Sequence, residues 1–263
     1  MNLGPDTFES VRPYAKIGSG NEPMNSFNII AGSGHCGTKW LAAVLDSQPG
    51  VTFHHQYLTE MTGAPWELTD IRPPDDPFFQ QYWRWIRGEL HQGDTGDANS
   101  WPPHRIPLVN EVHPIGWVIY LVRNGVQQLN SFLTTSPAFS RIPLPKAASE
   151  KFAALAEIGG YGPIDNWSVF KKLCLTIAAN DFMPDWLASY GILVDVYSLE
   201  ELTTDVSVLQ ELAPMVDVDE YENWQRKDIN QKTEGDRDPF VIWESWTDEQ
   251  RADYIEVVGD PEL

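Results

Sequence analysis

The stretch from residue 26 to residue 48, SFNIIAGSGHCGTKWLAAVLDSQ, decides how the rest of the chain is interpreted. An apolar run at 27–31 leads into a glycine-rich loop at 32–39, and the apolar spacing of a helix follows. A strand that enters such a loop and then a helix forms a phosphate site, because the loop N–H groups and the helix N-terminus point at one anion. We therefore predict a strand, a phosphate-binding loop and a helix that begins near Gly37 and stops before Pro49.

Further apolar segments predict the strands that accompany this one in a sheet. Residues 117–122 and 192–197 are apolar along most of their length, as strands covered on both faces are, and residues 51–53 predict a shorter strand that ends in His54 and His55. Predicted helices separate these strands. The pattern therefore predicts the α/β class, with three layers in which helices cover both faces of a mostly parallel central sheet.

Local signals refine this outline. Residues 93–100 predict a short edge strand, and Pro184 is expected to split the longest of the predicted helices. Thr247 and Gln250 predict a capping box at the start of the last helix. The other predicted helices lie near residues 76–90, 103–112, 126–133, 146–158 and 167–190.

Composition limits the classes of function. The chain has 263 residues and a formal net charge of −20, which disfavours nucleic acid and anionic membrane surfaces as partners because both require a basic face. We expect one domain over residues 1–263, with an irregular leader at 1–25 and a C-terminal extension at 206–263. Cys36 and Cys174 are the only cysteines, which is typical of a reducing compartment. No apolar stretch reaches the ~18 residues of a membrane span, and the first residues lack the form of a signal peptide, so we expect a cytoplasmic protein.

One interpretation of the loop is the Walker A sequence of nucleotide phosphotransferases. Gly32 and Gly37 have the required spacing, but Thr38 and Lys39 stand in reversed order. The reversal moves the lysine about 100° around the helix and leaves no hydroxyl at the position that holds Mg²⁺. Asp195 could imitate the acidic residue that holds the metal, but it lies inside an apolar run rather than at a strand end.

A second interpretation fits the residues better. Cys36-Gly37-Thr38, followed by a helix that ends before Pro49 and Val51, resembles the first signature of the sulfotransferase family. In that family the loop holds the 5′-phosphosulfate of 3′-phosphoadenosine-5′-phosphosulfate (PAPS). Two residues depart from the family pattern: His35 stands where an arginine or lysine is usual, and Lys39 stands where a second threonine is usual.

The family's second signature, which grips the 3′-phosphate of PAPS, resembles residues 117–133 (WVIYLVRNGVQQLNSFL). Arg123 follows the strand and Ser131 lies eight residues later on the helix, so both can reach one anion. A weaker likeness is found at residues 194–202. The resemblance spans about residues 27–258, without matching positions at 55–115 and 134–165.

The resemblance implies PAPS as sulfonate donor, 3′-phosphoadenosine-5′-phosphate (PAP) as product, a P-loop-like fold and a small-molecule, glycan or lipid hydroxyl as acceptor. It implies no metal. Positive charge on the leaving phosphate would come from Lys39 or from a protonated His35. The residues implied to bind the nucleotide are Ser33, Gly34, His35, Cys36, Gly37, Thr38, Lys39, Arg123 and Ser131, with Arg226 and Lys227 as the counterpart of a basic C-terminal loop.

The transfer also requires a base that takes the acceptor's proton. His54 and His55 both end the second strand, on the side of the sheet where ligands bind in open α/β folds. The resemblance makes His55 the first candidate, because its position matches the catalytic glutamate of some branches of the family. His54 is the second candidate and Asp97 the third. A metal site between the two histidines is not expected, since neighbouring strand residues point to opposite faces. A nucleotide phosphotransferase and a non-catalytic nucleotide-binding relative remain the alternative functions.

Overall fold

A computed structural model describes residues 26–58, 77–98, 101–135, 146–217, 219 and 238–263. The predicted leader at 1–25 and the basic pair Arg226 and Lys227 lie outside these ranges. No helix in the described ranges is long and apolar enough to cross a membrane.

Five strands form one sheet in the described part of the chain, and all neighbouring strands are parallel. Their order across the sheet is β2-β3-β1-β4-β5. The strands are β1 (Phe27–Gly32), β2 (Val51–His55), β3 (Asp94–Ala98), β4 (Trp117–Val122) and β5 (Val194–Ser198). The predicted α/β class with a parallel central sheet is confirmed. In a parallel sheet the C-terminal ends of all the strands lie on the same side of the sheet, and ligands bind there.

Helices connect the strands and cover both faces of the sheet. They are α1 (Thr38–Asp46), α2 (Pro77–Leu90), α3 (Ile106–Val112), α4 (Gly125–Thr135), α5 (Lys146–Ile158), α6 (Val169–Ala188), α7 (Leu199–Thr204), α8 (Val206–Leu212), α9 (Pro239–Ser245) and α10 (Asp248–Val257). A short 3₁₀ helix, Pro103–Arg105, precedes α3. The predicted capping box is present at α10: Thr247 accepts a hydrogen bond from the Gln250 backbone, and the Gln250 side chain accepts one from Thr247.

Each face of the sheet packs a separate apolar cluster. On one face, Ile30, Ile119 and Leu121 pack with α1 and α8. On the other, alternate residues such as Ile29 and Tyr120 pack with α2, α4, α5 and α6. The two clusters are separate because successive side chains of a strand point to opposite faces of the sheet. The same alternation decides which side chains at the C-terminal ends of the strands lie on the same face.

The sheet differs from the sequence prediction at two strands. β3 is internal rather than an edge strand: its polar sequence, DTGDA, is tolerated because Gly96 leaves room for the ring of Phe53 and because Thr95 and Asp97 are buried with hydrogen-bond partners. β5 is an edge strand rather than a core strand. It begins at Val194, pairs only with β4 within the described chain, and leaves Val196 49% exposed.

The longest described helix, α6, also differs from the prediction. It continues through Pro184 without a break over its 20 residues. Met183 and Leu187 flank the proline and are both fully buried, so their packing holds the helix together although one backbone hydrogen bond is lost.

Candidate functional site

The glycine-rich loop lies at the C-terminal end of β1 and closes directly onto α1. Gly34 and Gly37 have φ angles of 103° and 88°, a conformation that side chains disfavour. A Cβ atom would lie 2.9 Å from the ring of Phe132 at Gly34 and 2.5 Å from a methyl of Leu199 at Gly37. Glycine therefore lets the loop bend tightly, and it presents backbone N–H groups at the start of α1, as an anion cradle requires.

Strained backbone conformations are found beyond the C-terminal ends of β1 and β2. His35 (φ 55°) and Gln56 (φ 57°) are the non-glycine residues with positive φ in the described chain. His35 lies in the glycine-rich loop, and Gln56 follows the end of β2. Such strained residues cluster at functional sites, where the surrounding structure holds them in place. Both therefore mark this side of the sheet as the candidate site.

Three amide and hydroxyl side chains lock the loop from beneath. Gln128 of α4 donates to Ser33 Oγ at 2.7 Å and also to the Gly34 carbonyl. Ser33 Oγ donates to Asn180 Oδ1 of α6 at 2.8 Å, and Asn180 donates back to Gln128 at 3.3 Å. The network ties the loop to two helices, and it fixes a loop whose glycines would otherwise leave it flexible.

Arg123 and Ser131, from the second predicted signature, both reach His35. Arg123 Nη1 donates to the His35 carbonyl at 3.3 Å, and Ser131 Oγ lies 3.1 Å from His35 Nδ1. The guanidinium also lies 4.0 Å from Glu200, which accepts a hydrogen bond from the Asn124 backbone at 3.2 Å. The structure thus places the arginine and serine beside the loop, as the sequence predicts, and adds an acidic neighbour.

A lysine that the sequence interpretation missed also reaches the loop. Lys151 of α5 donates to the Ser33 carbonyl at 3.3 Å, and its ammonium lies 6.0 Å from the ring centre of Phe132. Burial lowers the pKa of Lys151 to about 8. The sequence does hold a signal: Lys151 has helical spacing with the buried Ala148 and Leu155, and a cation within the apolar stripe of a helix is unusual.

The remaining loop residues have different surroundings. Cys36 is fully buried, and burial raises the pKa of its thiol to about 11, so it remains neutral where the family has a serine. Thr38 is buried at the first position of α1, whereas Lys39 is exposed at the second. Lys39 lies close enough to His55 for its charge to act on that side chain.

The two histidines at the end of β2 point to opposite faces of the sheet. The ring of His54 packs against Tyr57 and Trp85, with ring centres 4.9 and 4.4 Å away. His55 pairs with Ala98 of β3, which belongs to the cluster beneath α1. Burial, with a contribution from the Lys39 charge, lowers the pKa of His55 to about 4. His55 is therefore neutral at pH 7 and can accept a proton, although it is a weaker base than an imidazole with the ordinary pKa.

Asp97, the third candidate base, has the surroundings of a structural residue. It is fully buried, and it accepts hydrogen bonds from Tyr82 Oη at 2.9 Å and from the Tyr57 backbone at 3.4 Å. Trp101 donates to Tyr82 Oη at 3.2 Å, which extends the chain of polar contacts into the core. Asp195, the residue considered for a Walker-type metal, lies on the edge strand β5 and accepts a hydrogen bond from Trp117 at 2.9 Å.

The predicted residues thus fall into two groups. The loop residues, Arg123 and Ser131 come together around His35, while His55 and Lys39 come together at the end of β2. Within the described ranges, no group of three or more histidine, cysteine or acidic side chains is placed to hold a metal ion. Gln128 and Asn180, which hold the loop, were not predicted because neutral amides occur on most helices.

No protein-family model matches the chain, and no curated protein matches it in sequence. Solved structures with a similar backbone include a sulfotransferase from Alicyclobacillus acidocaldarius (17% identity, TM-score 0.43, 91% of this chain and 97% of that one). A second is mouse sulfotransferase SULT7A1 complexed with PAP (15% identity, TM-score 0.40, 90% of this chain and 84% of that one). A third is the sulfotransferase domain from the curacin biosynthetic pathway (13% identity, TM-score 0.45, 91% of this chain and 93% of that one). All three are sulfotransferases, the family that the two sequence signatures resemble.

Proposed function

We propose that this protein transfers the sulfonate group of PAPS to a hydroxyl acceptor and releases PAP. Two segments 88 residues apart in sequence meet at His35, and this meeting supports the proposal most directly. One is the loop with the geometry of an anion cradle. The other brings Arg123 and Ser131 to the side of that loop. A donor with phosphates at both ends of its ribose requires two such anion sites close together.

The residues present fit the two phosphates of the donor. The loop N–H groups and the N-terminus of α1 would hold the 5′-phosphosulfate, because the helix dipole favours negative charge there. Arg123 and Ser131 would hold the 3′-phosphate, since a guanidinium fork can donate two parallel hydrogen bonds to phosphate oxygens. Each phosphate would be bound by a few groups in direct contact with it, so binding is compatible with a chain whose net charge is −20.

The neutral imidazole of His55 would serve as the base. It lies at the end of β2, two strands away from β1, and the usual strand separation puts the two strand ends about 10 Å apart. An acceptor hydroxyl would lie beyond the end of β3, which separates these two strands, and between the imidazole and the loop. The aromatic side chains Tyr57 and Trp85 lie on the opposite face, beside His54 and away from the imidazole of His55.

The bound donor supplies the sulfonate: the acceptor oxygen forms a new S–O bond, the S–O bond to the 5′-phosphate breaks, and the electron pair stays on the phosphate oxygen. His55 takes the acceptor's proton as this happens. The loop N–H groups stabilise the charge that grows on the phosphate, and they do so without reorganisation because the loop is already fixed by Gln128 and Asn180.

Calorimetry with competing nucleotides tests this function. We expect PAP to bind without added metal and more tightly than ADP or Mg-ATP, because neither of these carries a 3′-phosphate for Arg123. A preference for Mg-ATP would instead support a nucleotide phosphotransferase. Release of PAP from PAPS in the presence of a panel of hydroxylated compounds then distinguishes an enzyme from a non-catalytic relative that binds PAP alone.

A further inference from the structure

His35 is held away from the role of loop cation. Its Nδ1 lies 3.1 Å from Ser131 Oγ, and its ring packs on Phe132 with the centres 4.4 Å apart. Both neighbours belong to α4, so the imidazole faces that helix.

A second cation lies on the same side of the loop. The Lys151 ammonium donates to the carbonyl of Ser33, which is the residue that enters the cradle, and it approaches the ring of Phe132 on which His35 packs. Lys151 and His35 therefore both lie beside the ring of Phe132. The charged form of Lys151 predominates at neutral pH, because its pKa is about 8.

The helix that carries this lysine is firmly anchored. Ala148, Phe152 and Leu155 of α5 are each no more than 3% exposed and pack into the larger apolar cluster. Arg105, next to α3, pairs with Glu150 at 3.9 Å. An anchored helix positions the ammonium before any ligand binds, as electrostatic catalysis requires.

We propose that Lys151, reaching the loop from α5, is the cation that neutralises the leaving 5′-phosphate during sulfonate transfer, in place of the basic residue that His35 replaces in the loop. This inference rests on the proposed function. As the S–O bond to the phosphate breaks, the electron pair stays on the phosphate oxygen, and the ammonium stabilises that charge while it keeps its own protons.

Lys39 is the other candidate for the cation at the leaving phosphate, but its surroundings place it near His55. It is exposed on α1 and its charge acts on His55, at the acceptor end of the site. An exposed ammonium is screened by water, so its effect on a growing charge is weaker than that of a half-buried one. Lys151 instead contacts the loop backbone itself.

The test compares the steady-state kinetics of Lys151→Met with those of Lys151→Arg. We expect Lys151→Met to lower kcat about 100-fold or more, with a much smaller change in PAP affinity, because the lost charge acts mainly in the transition state. Lys151→Arg keeps the charge and should recover a substantial part of kcat. The control is Lys172→Met, whose ammonium contacts the Asp165 carbonyl away from the loop. Lys39→Met tests the competing candidate.

The outcomes separate the inference from the function on which it rests. If the natural protein neither binds PAP nor consumes PAPS, the proposed function is wrong. If it does both while Lys151→Met keeps its kcat, or Lys39→Met alone loses it, only the assignment of Lys151 is overturned. Thermal unfolding of each variant guards against misfolding, and a folded Lys151→Met that loses kcat without recovery in Lys151→Arg also contradicts a role through charge.

Discussion

The two ends of the candidate site are built in different ways. At the donor end, the loop is fixed by hydrogen bonds from two helices, and Arg123, Ser131 and Lys151 all contact its residues. At the acceptor end, β2 is an edge strand whose two terminal histidines point to opposite faces, and aromatic rings supply much of the described surroundings.

This difference follows from what each end would bind. A phosphate group is small and fixed in shape, so it demands set donors at set positions. An acceptor is recognised by apolar contact and shape, which many side chains can supply. Loss of a phosphate-binding or loop-holding side chain at the donor end should therefore weaken nucleotide binding, and loss of the base at the acceptor end should lower turnover alone. Lys151 is the exception at the donor end, because its charge acts mainly in the transition state.

His55→Gln tests most strongly whether turnover and nucleotide binding depend on different ends of the site. Glutamine cannot take the acceptor's proton, so we expect kcat to fall by about 10²–10⁴-fold while PAP affinity stays unchanged. The matched control is His54→Gln, which changes the neighbouring residue on the other face and should leave kcat within several-fold. Equal losses in both variants, or lost PAP binding in His55→Gln, would show that the two ends are not separate.

The donor end should be sensitive to the loss of neutral side chains as well. Gln128→Leu removes the donor to Ser33 Oγ and to the Gly34 carbonyl and the acceptor of the Asn180 amide, while the hydrogen bond from Ser33 to Asn180 remains. We expect the free energy of unfolding to fall by about 1–3 kcal/mol, measured by urea denaturation, together with weaker PAP binding. The exposed Gln92→Leu serves as control and should change the free energy of unfolding by less than ~0.5 kcal/mol.

The contacts of Arg123 and Ser131 with the glycine-rich loop were largely predictable from sequence, and the surroundings of the end of β2 were not. Arg123 and Ser131 follow a strand that is apolar throughout, so their positions are fixed once that strand is recognised. Lys151 was missed because it comes from a helix with no counterpart in the signatures, although its place in an apolar stripe was visible. The internal position of β3 depends on the fit of Phe53 over Gly96, which no local pattern reveals.

A smaller effect probes the link between Lys39 and His55. Removing the charge in Lys39→Met should raise the pKa of His55 from about 4 toward its ordinary value, followed by NMR titration of the imidazole. Burial remains the main cause of the depression, so most of it should persist. Because the folded chain binds this proton less readily than the unfolded chain, His55 costs stability as the pH falls from about 6.5 to about 4, and the variant should lose less over that range.

The smallest expected effect concerns the acidic neighbour of Arg123. Glu200 lies 4.0 Å from the guanidinium and is partly exposed, so its charge opposes an incoming phosphate only weakly. We expect Glu200→Gln to bind PAP about 2–5-fold more tightly at low salt, with the gain fading at high salt. Glu201→Gln, one residue along α7, should show no gain. An affinity that falls in Glu200→Gln would mean that the carboxylate positions Arg123 rather than competing for it.

The pairing of two anion sites is tested most directly by the affinities of PAP and AMP, measured by calorimetry in the natural protein and in Arg123→Ala. AMP lacks only the 3′-phosphate. We expect the natural protein to prefer PAP by about 10–100-fold, as lost hydrogen bonds between charged groups imply, and Arg123→Ala to bind the two nucleotides alike. Retention of the full preference for PAP in Arg123→Ala would contradict the assignment of this arginine to the 3′-phosphate.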